Sequence, residues 1–104
     1  MTISWTQPAN DDFLGIVEWI AVNNPDAAST VGRKILAAVE QLDDFPFLGR
    51  PGRSPDTREL VISGLPYLAV YCIESAPPRS VVILRVLHGA MLWPPDAAGK
   101  QGSS

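Results

Sequence analysis

The spacing of apolar residues divides the first half of the chain into a strand and two helices. Residues 3–6 alternate apolar and polar side chains, which is the period of a strand. Two stretches with apolar residues three and four positions apart follow, and each predicts one face of an amphipathic helix. Pro25 separates them, because the residue before a proline is driven out of the α region. The first helix begins near Pro8 and buries Phe13, Ile16, Val17, Ile20 and Ala21; the second begins at Asp26, as N-cap or first-turn acid, and buries Ala28, Val31, Ile35, Leu36, Ala38, Val39 and Leu42.

The second half of the chain predicts three strands that follow a loop. Residues 46–57 are rich in proline and glycine, and strands are expected at 57–62, 67–74 and 80–87. Because short turns join them, the strands form an antiparallel meander. The last strand is apolar on both faces, which predicts a central strand covered by the helices on one side. We therefore predict an α+β domain over residues 1–95, with a helical hairpin packed on a small antiparallel sheet, and a flexible tail at 96–104.

The composition narrows the class of protein. The 104 residues suffice for one modest core. No apolar run approaches the ~18–20 residues of a membrane span, and the first residues lack the features of a signal peptide, so we expect a cytoplasmic protein. Cys72 is the single cysteine and is expected to be a buried structural thiol. One histidine and one cysteine cannot supply a usual zinc site, and we expect neither a metal nor a cofactor.

Charge is segregated along the chain. The net charge is −3, from eight basic and eleven acidic residues. Residues 1–44 hold two basic against seven acidic side chains, whereas residues 45–93 hold five arginines against three acidic side chains. A mildly basic sheet half favours an anionic partner, either nucleic acid or an acidic protein segment. Proteins that bind phosphates normally have a clear excess of basic residues, and this chain does not.

A set of short motifs in the second half carries a family resemblance. Behind the two predicted helices come FPFLGRPGR at 45–53, TRELVI at 57–62, LPY at 65–67 and ILRVLHGA at 83–90. In this order they resemble the RelE/ParE superfamily, the toxins of bacterial type II toxin–antitoxin systems. The resemblance covers residues 3–94 and implies the RelE/ParE-like fold, which agrees with the elements predicted above.

The superfamily contains two activities, and the resemblance implies one of them. ParE-like members trap DNA gyrase on cleaved DNA, which blocks replication, and have no known catalytic residues. RelE-like members cleave mRNA in the ribosomal A site. If the chain is a RelE-like endoribonuclease, its candidate catalytic groups are Arg58, Glu59, Arg85 and His88, with His88 as acid or base and the arginines stabilising the transition state. The chain lacks the C-terminal tyrosine and the lysines of such enzymes, and its negative charge suits ribosomal RNA poorly, so the ParE-like alternative is favoured.

The same residues also admit structural roles. Arg85 can pair with an acid such as Glu59, and His88 can be a hydrogen-bonded structural histidine. For contact with the target we consider four arginines and one tryptophan: Arg50, Arg53, Arg58, Arg85 and Trp93.

A protein partner is also implied by the resemblance. Toxins of this superfamily bind a cognate antitoxin, ParD-like or of another class, whose disordered segment folds on the toxin. The antitoxin's other half binds operator DNA, so this chain is expected to reach DNA only through it, and no membrane is involved. The candidate antitoxin contacts are aromatic and apolar: Trp5, Phe13, Val17, Trp19, Ile35, Tyr67 and Tyr71.

Overall fold

The computed structural model describes residues 2–89, and these form a helical hairpin and one sheet. Strand β1 is followed by helices α1 and α2, a turn of 3₁₀-helix and four more strands. Their bounds are β1 Thr2–Trp5, α1 Gln7–Ala21, α2 Pro25–Glu40, the 3₁₀ turn Gln41–Asp43, β2 Arg50–Pro51, β3 Thr57–Val61, β4 Tyr67–Glu74 and β5 Ser80–His88. The predicted α+β class is confirmed, and the strands predicted at 57–62, 67–74 and 80–87 match β3, β4 and β5 within one residue.

Side-chain caps explain where the helices begin. The Thr6 hydroxyl accepts a hydrogen bond from the Ala9 N–H and donates one to the Leu84 carbonyl, so it fixes α1 to the sheet. The Asn24 side chain accepts from the Ala27 N–H and caps α2. Asp26, which was predicted as a cap or a first-turn acid, is therefore the first-turn acid. Its negative charge interacts favourably with the positive end of the helix dipole.

The sheet has five strands in the order β1-β5-β4-β3-β2. The predicted antiparallel meander is present as β3, β4 and β5, and β5 has the interior position expected for it. Two features were not predicted. β1 pairs with β5 in parallel, which makes the sheet mixed, and the two-residue strand β2 pairs with β3 inside a segment predicted to be loop.

The main core lies between the helices and one sheet face. Its fully buried members come from the helical segment, from all three long strands and from the 3₁₀ turn. They are Ala9, Val39, Leu42, Leu60, Ala69, Tyr71, Val81, Ile83 and Val86. The register of β4 against β5 shifts between Val70 and Tyr71, so Leu84 is an extra residue in β5, a β-bulge.

A second, smaller apolar cluster lies on the other sheet face. It consists of Leu68, Val70 and Leu87, with Leu84 packed against it. Successive side chains on a strand point to opposite faces, and Ala69 between Leu68 and Val70 belongs to the main core. β5 is thus apolar on both faces, as the sequence predicted, with Val86 in the main core and Leu87 in the second cluster.

Within residues 2–89, neither helix is long and apolar enough to cross a bilayer. Trp93 and the tail expected at 96–104 lie outside the described residues.

Candidate functional site

Arg85 is clamped to helix α1 by a carboxylate. Its Nε and Nη2 donate to the two oxygens of Asp12 at 2.6 and 3.0 Å, and the Val86 N–H donates to the same carboxylate at 3.0 Å. The hydrogen bonds that Arg85 donates to Asp12 raise the pKa of the Arg85 guanidinium above its ordinary value. Arg85 therefore pairs with an acid, as its structural alternative expected, but that acid is Asp12 of α1, 73 positions away in sequence, and not the suggested Glu59.

Glu59 is buried and pairs with Arg50. The Arg50 Nε and Nη2 both donate to one Glu59 oxygen, at 3.2 and 3.1 Å. Arg50 of β2 and Glu59 of β3 are partners in the strand ladder, so their ion pair holds the short edge strand β2 against β3. Since a buried carboxylate needs a charged or hydrogen-bonding partner, this pair accounts for Glu59 structurally.

Arg58 organises the loop that precedes β2. Its guanidinium donates to the carbonyls of Gly49 and Phe47, and it lies 5.3 Å from the centre of the Phe47 ring, a cation–π contact. Arg58 and Glu59 are consecutive residues of β3, so their side chains point to opposite faces of the sheet. Arg58 pairs with Tyr71 of β4, and Glu59 pairs with Val70.

His88 ends β5 and is exposed. Its ring contacts Tyr67 edge to face, with centroids 5.6 Å apart. His88 pairs with Tyr67 on β4, whereas Arg58 pairs with Tyr71, four residues further along that strand. That offset is roughly 13 Å. The four candidate ribonuclease residues are therefore distributed over both faces of the sheet, with His88 near one end and Arg58, Glu59 and Arg85 near its middle.

A groove runs between α1 and the end of β5. It has a volume of about 440 Å³. Its lining comes from Asp11, Asp12, Gly15, Ile16 and Trp19 on the helix side and from Tyr67, Arg85, Val86, Leu87 and His88 on the sheet side. Trp19 is 74% exposed. A Cβ added to Gly15 would meet nothing within 4 Å, so the floor of the groove is open there. We call this surface the helix groove.

The other expected antitoxin contacts occupy several environments. Trp5 and Phe13 are half-buried and pack edge to face with their ring centroids 5.8 Å apart. Val17 lies against Gly32 at the crossing of the two helices. Ile35 and Tyr71 are completely buried, so their side chains belong to the interior and offer no surface to a partner in this structure.

A short apolar loop is the feature that the sequence reasoning missed. Phe45, Phe47 and Leu48 are 63%, 61% and 49% exposed, although they lie within four residues of one another. From the sequence, these residues were considered only as part of the motif at 45–53 that carries the family resemblance. We call residues 45–48 the apolar loop. Exposed apolar side chains that cluster in this way commonly mark a contact surface.

A second cavity, of about 740 Å³, lies beside Cys72 and is also lined by Asp56 and Glu74. Burial, and then the charges of Glu74 and Asp56, raises the pKa of the Cys72 thiol. A thiol held in its neutral form is a poor nucleophile. Residues 2–89 contain no group of three or more His, Cys, Asp or Glu side chains placed to hold a metal ion.

Comparisons with known proteins agree with this architecture. The sequence model of the ParE toxin of the type II toxin–antitoxin system parDE matches residues 3–93. The chain is 41% identical over 92 residues to "Putative toxin Y4kP" of Sinorhizobium fredii, which spans 88% of this chain and 92% of that protein. Its fold matches a chain of the chromosomal ParDE toxin–antitoxin system of P. aeruginosa with a TM-score of 0.75 and 25% identity, over 85% of this chain and 95% of that one. The chain thus belongs to the ParE toxin family of type II toxin–antitoxin systems, within the RelE/ParE superfamily.

Proposed function

We propose that this toxin inhibits DNA gyrase by binding it, and that a cognate antitoxin neutralises it. Membership of the ParE family makes a protein-binding toxin the first expectation. The observation that carries the proposal is the engagement of the candidate catalytic groups. Arg85 is held by Asp12, Glu59 by Arg50, and Arg58 by two loop carbonyls. Such groups stabilise the fold and do not converge around a space for a phosphate.

General acid–base catalysis of RNA cleavage needs an acid and a base within hydrogen-bonding reach of one reacting phosphodiester. His88 lies near one end of the sheet, and Arg58 and Glu59 lie near the middle of β3 on opposite faces. This separation favours target binding over the alternative, a ribosome-dependent endoribonuclease.

The charge distribution supports the same proposal. A protein that binds ribosomal RNA neutralises many phosphates, and its affinity depends on a surplus of lysine and arginine. This chain has a net charge of −3. Two of its sheet-side arginines, Arg50 and Arg85, are already paired with carboxylates. A protein target requires only a local complementary patch.

The helix groove is the proposed antitoxin site. It is mostly apolar, it is open at Gly15, and Trp19 stands exposed beside it. A disordered segment that folds into an amphipathic helix needs a groove of this kind. Tyr67 and Trp19 line the groove, so both remain proposed antitoxin contacts. Trp5, Phe13 and Val17 do not line the groove, and we propose that they support α1 from its opposite side.

The test of the target is a gyrase assay with the purified toxin freed from its antitoxin. We expect the toxin to inhibit supercoiling of relaxed plasmid and to accumulate linear DNA that is revealed by detergent and protease, and we expect the antitoxin to reverse both effects. Unaffected gyrase would refute the proposal. In that case, codon-dependent cuts in ribosome-bound mRNA that are lost in His88→Ala would support the endoribonuclease.

The antitoxin is tested by coexpression with the product of the neighbouring gene. We expect a stable complex that copurifies, and we expect Trp19→Ser to weaken it. Leu36→Ser is the matched control. Leu36 was predicted to be buried, but it is exposed on the helical hairpin, and it does not line the groove. Equal copurification of the wild-type toxin and both variants would exclude the groove as the antitoxin site.

A further inference from the structure

We propose that the apolar loop is the surface with which the toxin docks on its target, by inserting Phe45, Phe47 and Leu48 into an apolar pocket of a folded protein. The inference rests on the proposed function, because it assigns the loop to the enzyme that the toxin inhibits. It names a surface that is distinct from the helix groove, since the two share no lining residue.

The backbone of the apolar loop is held by side chains from the sheet. The buried Tyr71 hydroxyl donates to the Pro46 carbonyl at 2.8 Å and accepts from the Gly49 N–H at 2.9 Å. Arg58 donates to the carbonyls of Phe47 and Gly49. One fully buried tyrosine and one arginine therefore satisfy four polar groups of a single short loop.

Local bonds fix the rest of the loop. The Phe45 N–H donates to the Gln41 carbonyl, and the Leu48 N–H donates to the Phe45 carbonyl, at 2.9 and 3.0 Å. The Arg58 guanidinium also stacks over the Phe47 ring. The loop thus presents its three apolar side chains in one preset arrangement. Such preorganisation strengthens binding, because little conformational freedom is lost when the partner docks.

The fold itself gains nothing from the exposure of these side chains. Leaving two phenylalanines and a leucine in water forgoes the hydrophobic stabilisation that burial would provide. Other loops of this chain, such as residues 52–56, carry polar or small side chains together with proline. A rigid loop that is held at this degree of apolar exposure is best explained by a partner that covers it.

The shape of the loop selects the kind of partner. Five of its main-chain polar groups and both of those of Gly49 are engaged within the chain, so few remain to pair with a partner strand. Binding must come from side chains entering a pocket. A disordered segment has no preformed pocket, whereas a folded enzyme does. The concave helix groove suits a segment that folds on binding, and the exposed side chains of the preset apolar loop suit a folded target.

The acidic residues beside the apolar loop indicate which charges should surround the partner's pocket. Glu40 and Asp44 are exposed at the end of α2 and just before Phe45, and Asp44 lines the same recess as the loop residues. Arg58 is directed to the loop carbonyls. The complementary surface is therefore an apolar pocket edged by lysine or arginine.

The experiment compares the toxin with the double variant Phe45→Ser/Leu48→Ser in the gyrase supercoiling assay. Both residues are largely exposed, so folding is preserved. We expect the concentration for half-maximal inhibition to rise about tenfold or more, as truncation of central apolar contacts does. Val22→Ser is the control, because Val22 is 80% exposed at the end of α1 and contacts neither surface. It should change inhibition less than about twofold.

A second variant, Tyr71→Phe, tests preorganisation. It keeps the buried ring and removes only the hydroxyl that holds Pro46 and Gly49. We expect weaker gyrase inhibition but unchanged copurification with the antitoxin. A general loss of folding would weaken both. Full inhibition by the double variant would overturn the proposal.

The outcome also separates this inference from the proposed function. If the wild-type toxin leaves gyrase unaffected, gyrase is the wrong target, and growth arrest in cells without antitoxin then decides the role of the loop. Loss of growth arrest in the double variant, with antitoxin binding retained, would support docking through the loop. Growth arrest equal to that of the wild type would overturn it.

Discussion

Replacing Asp12 by alanine should destabilise the toxin, because the Asp12 carboxylate joins α1 to β5. The substitution removes three hydrogen bonds: two from Arg85 and one from the Val86 N–H. The side chains are 19% and 34% exposed for Asp12 and Arg85, so the ion pair lies between the exposed and buried limits. We assign about 1–2 kcal/mol to the lost pair and about 1 kcal/mol to the Val86 N–H left without its acceptor. The expected loss is roughly 2–3 kcal/mol in the free energy of unfolding.

The assay is urea denaturation followed by tryptophan fluorescence and circular dichroism. Asp11→Ala is the matched control, since Asp11 is the preceding acid and only accepts an exposed hydrogen bond from Gln7. It should change stability by less than about 0.5 kcal/mol. The urea concentration at the midpoint of unfolding should fall clearly for Asp12→Ala, and the m value should be unchanged.

A double-mutant cycle with Arg85→Ala isolates the pair itself. The coupling energy should be about 1 kcal/mol or more, because the two side chains are in direct contact. If Asp12→Ala is as stable as Asp11→Ala, or if the two single changes are additive, the reasoning that this ion pair fastens α1 to β5 is refuted.

Three further changes test other parts of the structure. Gly49→Ala should destabilise the fold by about 1–3 kcal/mol in urea denaturation, because its Cβ would lie 2.7 Å from the Tyr71 hydroxyl oxygen and 2.8 Å from the Glu59 carbonyl oxygen; stability equal to the wild type would mean that the loop is not held against Tyr71. Gly15→Ala should raise stability by about 0.5–1 kcal/mol, because the new methyl group meets nothing and alanine is the better helix former; a loss would show that the groove floor is occupied. Cys72 should react with iodoacetamide more slowly at pH 8.5 in the folded chain than in urea, since its raised pKa keeps the thiol protonated. The unfolded thiol ionises at the lower pH, so stability should fall as pH rises above the unfolded pKa, and Cys72→Ala should remove that part of the alkaline loss.

The elements of the fold were predictable from local patterns, whereas strand partnership was not. β4 occupies the predicted residues because Gly64 and the Pro77-Pro78 pair bound a continuous apolar run. The period of residues 3–6 predicts a strand but contains no information about its neighbour, so the parallel pairing with β5 was missed. β2 was missed because two residues, one of them proline, give no periodic signal.

The candidate site was predictable only as a set of residue types. The sequence drew attention to Arg58 and Arg85, and both are engaged in the structure, but their partners are loop carbonyls and an acid from the first helix. Carbonyl positions are not encoded by side-chain identity. Tyr71 was considered a contact for a partner, since an aromatic residue in an apolar strand is equally compatible with a surface and a core. Only the fold shows that its hydroxyl reaches the loop from inside.

The parallel pairing of β1 with β5 has a consequence for the order in which the fold can form. Residues Thr2–Trp5 find their ladder partners in residues 80–83, and the Thr6 hydroxyl that caps α1 donates to the Leu84 carbonyl. Contacts between residues so far apart in sequence form slowly, because a long loop must close before they are made. A chain that lacks β5 also lacks the strand that joins β1 to β4 and the carbonyl that anchors the α1 cap. The arrangement of residues 2–89 is consequently expected to assemble only after β5 has been synthesised.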